Sequence, residues 1–447
     1  MQQPNADELE YVRAAFDNAN HVAPRGPKLP GDPDFNIYFR SLLRTLDPKS
    51  STGLGAFEAY ATIGDALGWD GIRFTEVHRV AELQRLVESR LRDLARGVPD
   101  IAWFNDRAEE GADIAFQELK RALQGQEEQE APPADNIKLF IKDEPHKISK
   151  VSEKRWRLIS AQSLVDQMTD RVLFYSWVET EISDHFNVTS KGGWSPLPMG
   201  YQRLMAEFPE DTAVAVDKSL WDWTMPPWVV YEYLQAKARA TPDMSDELMW
   251  LWARRFWFVL GPGARVRMPT GVVWRQDCWG LMKSGFYLTL SMNGAAQMLQ
   301  HALAWRRMGK LTFPPRIWTM GDDTLTRLSP SDMEEYRVQL GTTGCIVKMV
   351  ERAREFAGYK FEGNTIAAAV ITPLYERKHQ FILKHVDADN ERSVALAFSL
   401  LYALARPGWH TQACVKAGVT VGPMQRLWAR GQVKLDLLEV ILIHMRW

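Results

Sequence analysis

The chain has too little cysteine for a disulfide framework. Cys278, Cys345 and Cys414 are odd in number and widely spaced, and they form no zinc-ligand pattern. That usage suits a reducing compartment. Charge of one sign is lacking as well: 54 Lys and Arg stand against 56 Asp and Glu, for a net charge of -2. A surface for phosphate must therefore be a local patch, not a property of the whole molecule. No apolar run approaches a membrane span, the longest being Val394 to Ala405. There is no internal repeat. The opening Met1-Gln2-Gln3-Pro4-Asn5-Ala6-Asp7-Glu8 does not read as a secretory signal. What is present is a globular composition, 46% hydrophobic and 25% charged, over 447 residues. That length supports a large core divided into two or three lobes. Eighteen Trp need large packing pockets or flat ligands, and cores are the commoner use.

Residues 1 to about 50 are rich in Pro, Asn, Asp and Gly and read as an irregular arm. The spacing predicts helices over Thr75 to Arg96, Ile114 to Leu123, Ser163 to Val178, Ser245 to Phe258 and Asn293 to Met308. Gln124 to Asn136 reads as an exposed loop. Ile137 to Ile141 reads as a strand, and Ala213 to Val216 as a buried strand ending at Asp217. Val266 to Trp274 suggests a hairpin around Pro269-Thr270-Gly271. Met333 to Leu340 reads as helix and Cys345 to Val350 as strand. Beyond Glu362 come a hairpin and amphipathic helices at Val394 to Ala405 and Gln425 to Met445. Strands interleaved with helices indicate an α+β core.

Four constellations carry chemistry. Met320-Gly321-Asp322-Asp323 sits between apolar residues, as a hairpin tip with two adjacent carboxylates. Like charges side by side are unfavourable unless a cation or solvent neutralises them, so a buried pair is a candidate metal site. An exposed pair is an ordinary turn. Asp217-Lys218-Ser219-Leu220-Trp221-Asp222 places one carboxylate at a strand end and a second five positions on. The plain alternative is a helix N-cap. In Lys283-Ser284-Gly285 followed by Thr289 and Asn293, the last two are four apart and share a helix face. They suit a sugar hydroxyl, or simply a polar first turn. Finally, seven cationic residues, counting a protonated His146, fall in the sixteen positions from Lys142 to Arg157. Such a run fits a triphosphate, or a solvated charged loop.

In order along the chain these are a basic loop, D-x4-D at a strand end, S-G-x3-T-x3-N opening a helix, and G-D-D on a hairpin. The series resembles the palm of viral RNA-dependent RNA polymerases. Lys142-Asp143-Glu144-Pro145-His146-Lys147, Arg155-Trp156-Arg157-Leu158-Ile159-Ser160 and Ser163-Leu164-Val165-Asp166-Gln167-Met168 look like the polymerases of sobemoviruses, poleroviruses and their relatives, the solemovirus-like group. The resemblance covers residues 137 to 363.

The resemblance implies an α+β right-hand fold of fingers, palm and thumb, with an antiparallel palm sheet backed by helices. An N-terminal arm and fingers would take residues 1–210, the palm 211–225 and 285–363, a fingers insertion 226–284 and the thumb 364–447. It also implies roles. Asp217 and Asp322 match the main metal ligands, and Asp323 the adjacent, more weakly engaged carboxylate. Asp222, Ser284, Thr289 and Asn293 match the network reading the ribose 2′-hydroxyl. Lys142 and Arg157 match the residues that bind the triphosphate, joined by Lys150 and less surely by Lys147 and Arg155. Lys348 sits where the family places a lysine near the leaving pyrophosphate. Glu355-Phe356-Ala357-Gly358 resembles the turn supporting the primer strand, with Ala357-Gly358 where the family often has Cys-Ser.

The implied activity is template-directed RNA synthesis from NTPs with Mg²⁺ or Mn²⁺, replicating a positive-strand RNA genome. The implied partners are an RNA template, its product strand and a genome-linked protein primer. The implied setting is a replication complex in the host cytoplasm. Two alternatives stay open: another palm polymerase such as a reverse transcriptase, and a non-catalytic RNA-binding protein with a degenerate palm. Asp222, and Met320 where a reverse transcriptase commonly has Tyr, favour RNA synthesis.

Overall fold

The chain begins in helix, not in an irregular arm. Asn5 Oδ1 accepts from Glu8 N, and Glu8 Oε2 accepts from Asn5 N, both at 2.9 Å. This capping box starts the helix Ala6–Ala19, which buries Leu9, Val12, Ala15 and Phe16. A second helix, Phe35–Leu43, buries Phe35, Phe39, Leu42 and Leu43. The Pro and Asn content that suggests an arm is concentrated at caps and connections, while the apolar residues keep helical spacing.

The computed structural model describes residues 1–96, 132–142, 144, 148–242 and 244–434. The helix expected at Ile114 to Leu123 and most of the loop expected from Gln124 lie outside them. So do Lys147 and the end of the helix expected at Gln425 to Met445, whose described part is Pro423–Ala429. Strands among the described residues are β1 (Ile137–Ile141), β2 (Leu158–Ala161), β3 (Ala213–Ser219), β4 (Arg265–Arg267), β5 (Val273–Arg275), β6 (Ile317–Met320), β7 (Asp323–Arg327), β8 (Ile346–Arg352), β9 (Glu355–Phe356), β10 (Tyr359–Glu362) and β11 (Val370–Pro373).

The chain divides into two compact units. The first comprises residues 1–192, 218–314 and 335–347. Its sheet has the order β2-β1-β4-β5. The helix Val77–Ala95 buries Leu83, Val87, Leu91 and Leu94, while Val77 at its start is exposed. Ser163 and Ser245 cap the helices Leu164–Ser183 and Asp246–Leu260 by accepting the N–H three residues on. Their aromatic faces meet: Trp177 and Trp252 pack edge to face at 4.3 Å between centroids, and Phe174 lies 5.8 Å from Phe256. The Trp-rich helix is core, as the composition suggested. Asp166 and Asp170, buried on the first of these helices, are paired. Arg255 holds Asp170 and, at 3.3 Å, Asp166, while Arg90 reaches Asp166 at 2.9 Å. Losing one partner of such a set strands a buried charge, at a cost of about 3–5 kcal/mol.

The second unit comprises residues 193–217, 315–334 and 348–447. A sheet of order β6-β7-β3-β8 adjoins a three-stranded sheet of order β11-β10-β9. Trp194, Phe208, Trp318, Leu325, Phe356 and Ile371 pack into one core. Among the described residues, four helices follow the sheets: Glu376–His385, Ala388–Leu401, Trp409–Lys416 and Pro423–Ala429. Phe398, Tyr402 and Cys414 centre a separate small core among them. All three cysteines are free, with Cys345 and Cys414 buried. No described helix is long and apolar enough to cross a membrane.

Candidate active site

The carboxylates come together through strand register in the second unit. Met320 pairs with Asp323 across β6 and β7, leaving Gly321 and Asp322 as the tip. Gly321 takes φ +63°, which a tight hairpin turn with Gly at its first central position requires. Trp318, fully buried and opposite Leu325, anchors the hairpin, and its Nε1 donates to Glu207 Oε2 at 2.8 Å. β7 also pairs antiparallel with β3, from Ala213 opposite Arg327 to Val216 opposite Thr324. One step further sets Asp217 opposite Asp323, and opposed residues of an antiparallel pair share a face. Asp217 thus lies within β3 and not past its end, because the strand runs on to Ser219.

Burial pushes the Asp323 carboxyl up to about 6, and the charges of Asp322 and Asp217 add to that. Asp322 is exposed at the tip. Lys348, on β8, donates its Nζ to Asp217 Oδ2. That hydrogen bond and charge hold the ammonium above the usual lysine range. Among the described residues, no group of three or more His, Cys, Asp or Glu side chains is gathered closely enough to hold a metal ion by itself. The donor set nevertheless fits a hard divalent cation. All donors are carboxylate oxygens that repel one another, and Mg²⁺ is commonly held by one or two carboxylates with waters and substrate phosphates, not by a closed protein cage.

The polar residues predicted to handle the nucleotide lie in the first unit. Lys142 and Arg157 share one acid: Glu144 Oε2 is 3.1 Å from Lys142 Nζ, and Glu144 Oε1 is 3.0 Å from Arg157 Nη1. Lys150 lies between them in sequence, on the short helix Ile148–Ser152, and its carbonyl accepts from Arg155 N at 2.8 Å. Arg155 pairs with Glu153. Ser284 Oγ accepts from Ser160 N at 3.1 Å, which ties its loop to β2. Thr289 Oγ1 donates to the carbonyls of Lys283 and Phe286, at 2.8 and 2.7 Å. These bonds start the helix Thr289–Arg307 one turn earlier than the spacing predicted. Asp222, in the short helix Trp221–Thr224, accepts on its carbonyl from Met282 N at 2.8 Å. Asn293 is 4% exposed, and its Oδ1 has no hydrogen-bond partner among the described residues. A buried acceptor left unmade is costly, so that oxygen is available to a donor from outside.

Lys218 is a member of this region that spacing did not reveal. Its buried Nζ donates to Gln297 Oε1, lies 3.4 Å from Gln300 Oε1 and stands 4.7 Å from the Trp221 ring centroid. Burial lowers the ammonium to about 8. Gln297 follows Asn293 by one turn, so the lysine ties the D-x4-D segment to the face that carries Asn293. A Lys beside Asp217 reads as one more cation in the sequence. The apolar partner Trp221 and two glutamines some eighty residues away give no local signal.

A family model described as viral RNA-directed RNA-polymerase matches residues 82–195. The chain is 30% identical over 301 residues to Protein P1-P2 of Potato leafroll virus, covering 62% of this chain and 26% of that protein. It is 29% identical over 229 residues to replicase polyprotein P2AB of Southern cowpea mosaic virus, covering 50% and 22%. To the RNA-directed RNA polymerase of Mushroom bacilliform virus it is 28% identical over 304 residues, covering 66% and 71%. Over these stretches the chain is similar to viral RNA-directed RNA polymerases. It spans about a quarter of the length of the polyproteins it matches. Among solved structures, a Sicinivirus 3Dpol RNA-dependent RNA polymerase aligns with TM-score 0.65 at 15% identity, over 99% of this chain and 86% of that one. The fold is therefore the α+β fold of viral RNA polymerases, as the motif order led us to expect. The family-model match ends before Asp217, so the acidic residues stand on their own geometry.

Proposed function

We propose that the chain synthesises RNA on an RNA template from ribonucleoside triphosphates, as the replicating polymerase of a positive-strand RNA virus. The observation that carries this reading is the register that sets Asp217 opposite Asp323 beside the tip carboxylate of Asp322. The proposal includes the division into fingers (1–210 and 226–284), palm (211–225 and 285–363) and thumb (364–447). It also includes a cytoplasmic replication complex and a genome-linked protein primer.

In nucleotide addition the primer O3′ bonds to the α-phosphorus, the bond to the β-phosphate oxygen breaks, and pyrophosphate departs. Two Mg²⁺ or Mn²⁺ ions, held by Asp217 and Asp322 with Asp323 as the weaker ligand, would supply charge at the attacking and leaving oxygens. The remaining work is positioning and neutralisation. Lys142 and Arg157, both already turned to one anion in Glu144, would exchange it for the triphosphate. Lys150 would join them. Lys348 holds its proton firmly while it rests on Asp217. Once that carboxylate is engaged elsewhere the ammonium loses its stabilisation and becomes the more acidic partner that a departing pyrophosphate needs. Asn293 and Asp222 would read the 2′-hydroxyl, which both donates and accepts. Ser284 and Thr289 act through backbone bonds that fix the loop carrying this set.

The test is primer extension on an RNA template with Asp322→Ala. Loss of synthesis with an unchanged fold is expected. Retained synthesis would remove Asp322 from the metal site, and a preference for dNTPs would turn the reading to a reverse transcriptase.

A further inference from the structure

Both arms of the Gly-Asp-Asp hairpin are tied at the root to one short segment of the second unit. The helix Gly200–Glu207 ends on Glu207, and the chain passes through Phe208 to Thr212 into β3 and Asp217. Glu207 Oε2 accepts from Trp318 Nε1 at 2.8 Å and lies 2.9 Å from Arg316 Nε, while its Oε1 meets Arg203 Nε. Arg316 precedes β6 and Trp318 lies within it, two residues apart and so on one side of the strand. Beyond the other arm, Leu328 N donates to Thr212 O at 3.1 Å. The segment that leads into Asp217 thus also grips the hairpin that carries Asp322 and Asp323.

Trp318 stands close to the carboxylates. Its cross-strand partner Leu325 is two residues from Asp323, roughly 7 Å along the strand and on the same face of the sheet. The Trp318 ring packs among Trp194, Phe208 and Phe356, with centroids 5.4, 5.6 and 6.0 Å away. Packing of this kind is non-directional, and the bond to Glu207 adds a direction. Neither the helix nor the indole accounts for a carboxylate here. At a helix C-terminus it opposes the macrodipole, and the last turn of this helix carries no basic residue. Other buried indoles do without one: Trp228 and Trp305 donate to carbonyls, at 3.0 and 3.1 Å, and Trp177 and Trp252 have no hydrogen-bond partner among the described residues. A bond to a carboxylate is shorter and about twice as strong as one between neutral groups.

We propose that Glu207 is a positioning residue for the metal site: through Trp318 it sets where the hairpin presents Asp322 and Asp323 to Asp217. The assignment rests on the reading of those three carboxylates as ligands of divalent cations, and names the group that holds them in place. A displacement of about 1 Å between reacting groups costs on the order of a hundredfold in rate, and Glu207 acts on such distances without touching substrate or ion.

The test compares Glu207→Leu, Glu207→Gln and Trp318→Phe in the full chain. Leucine removes the acceptor, glutamine keeps one for the indole, and phenylalanine removes the N–H while keeping an aromatic ring. Phe398→Leu, in the separate small core of the second unit, is the control for lost stability, followed by urea unfolding beside the others. Mn²⁺ affinity is read by electron paramagnetic resonance, next to kcat and KM for NTP in primer extension at saturating Mn²⁺. Glu207→Leu should weaken Mn²⁺ binding and lower kcat by about tenfold each, with KM for NTP unchanged. Trp318→Phe should act in the same direction by about threefold, and it carries the test if the leucine variant does not fold. Glu207→Gln should recover most of the loss, and Phe398→Leu should bind Mn²⁺ as the parent does. Parent-like Mn²⁺ affinity in Glu207→Leu and Trp318→Phe, equal weakening in Phe398→Leu, or a glutamine variant as impaired as the leucine one would overturn the role of Glu207 alone. Mn²⁺ binding that Asp322→Ala leaves intact would sink the metal-site reading, and the role of Glu207 with it.

Discussion

Lys348 Nζ rests on Asp217 Oδ2, an ammonium on β8 against a carboxylate on β3. The pair sits where the carboxylates of Asp217, Asp322 and Asp323 repel one another, and it neutralises one of them without a metal. A divalent cation and the ammonium therefore compete for Asp217. Lys348→Ala should tighten Mn²⁺ binding by roughly two- to fivefold, the range of an exposed ion pair, while slowing RNA synthesis. Mn²⁺ titration by electron paramagnetic resonance reads the affinity directly. Weaker Mn²⁺ binding in the variant would show that the lysine helps to build the metal site.

Asp323 supplies a pH test. Its folded pKa of about 6 lies above the ordinary aspartate value, chiefly through burial and then through Asp322 and Asp217. The native state therefore holds this proton after the unfolded chain has released it, and stability falls as pH rises through that interval. Below pH about 4 both states are protonated and the residue contributes nothing. Above pH about 6 the ionised form costs about 3 kcal/mol. Asp323→Asn should then match the parent near pH 4 in urea unfolding with EDTA, and exceed it by up to that amount at pH 7. A difference that is constant with pH would mean that the carboxylate is not destabilised in the fold.

These two sites differ in how far the sequence discloses them. The Gly-Asp-Asp hairpin was legible because a turn glycine, flanking strands and paired acids all lie within ten residues. Asp217 was legible as the polar end of an apolar strand. Strand register is a different matter: that Asp217 faces Asp323 depends on β3 and β7 pairing across a hundred residues. The basic run from Lys142 reads as one linear patch in the sequence. Among the described residues of that run, Lys142 and Arg157 meet at Glu144, while Arg155 turns to Glu153. The amino-terminal segment misled because composition outweighed the capping box at Asn5 and Glu8.

Lys218 is the clearest case of a partner hidden from spacing, and its role is measurable. Lys218→Met leaves Gln297 Oε1 and Gln300 Oε1 without the donor that meets them in the core. Each buried acceptor left unmade costs about 1–3 kcal/mol. The single variant should lose stability in that range in denaturant unfolding. Pairing it with Gln297→Leu replaces both partners by apolar groups and should recover part of the loss, giving a coupling energy above about 1 kcal/mol. Additive effects would separate Lys218 from the helix that carries Asn293.

Asn293 separates a binding role from a structural one. A buried amide that stabilises a fold has its oxygen satisfied, whereas the Oδ1 of Asn293 has no partner among the described residues. Replacing it removes an unmade acceptor, which offsets the small cavity, so Asn293→Ala should change stability by less than about 1 kcal/mol. If the oxygen accepts from a ribose 2′-hydroxyl, the same variant should reduce the ratio of kcat/KM for an rNTP over its dNTP by about five- to tenfold, the worth of one hydrogen bond. The loss should fall on the rNTP alone, because a deoxyribose never made the contact. Equal losses on both sugars would assign Asn293 to general positioning, and a large drop in stability with unchanged selectivity would make it a core residue.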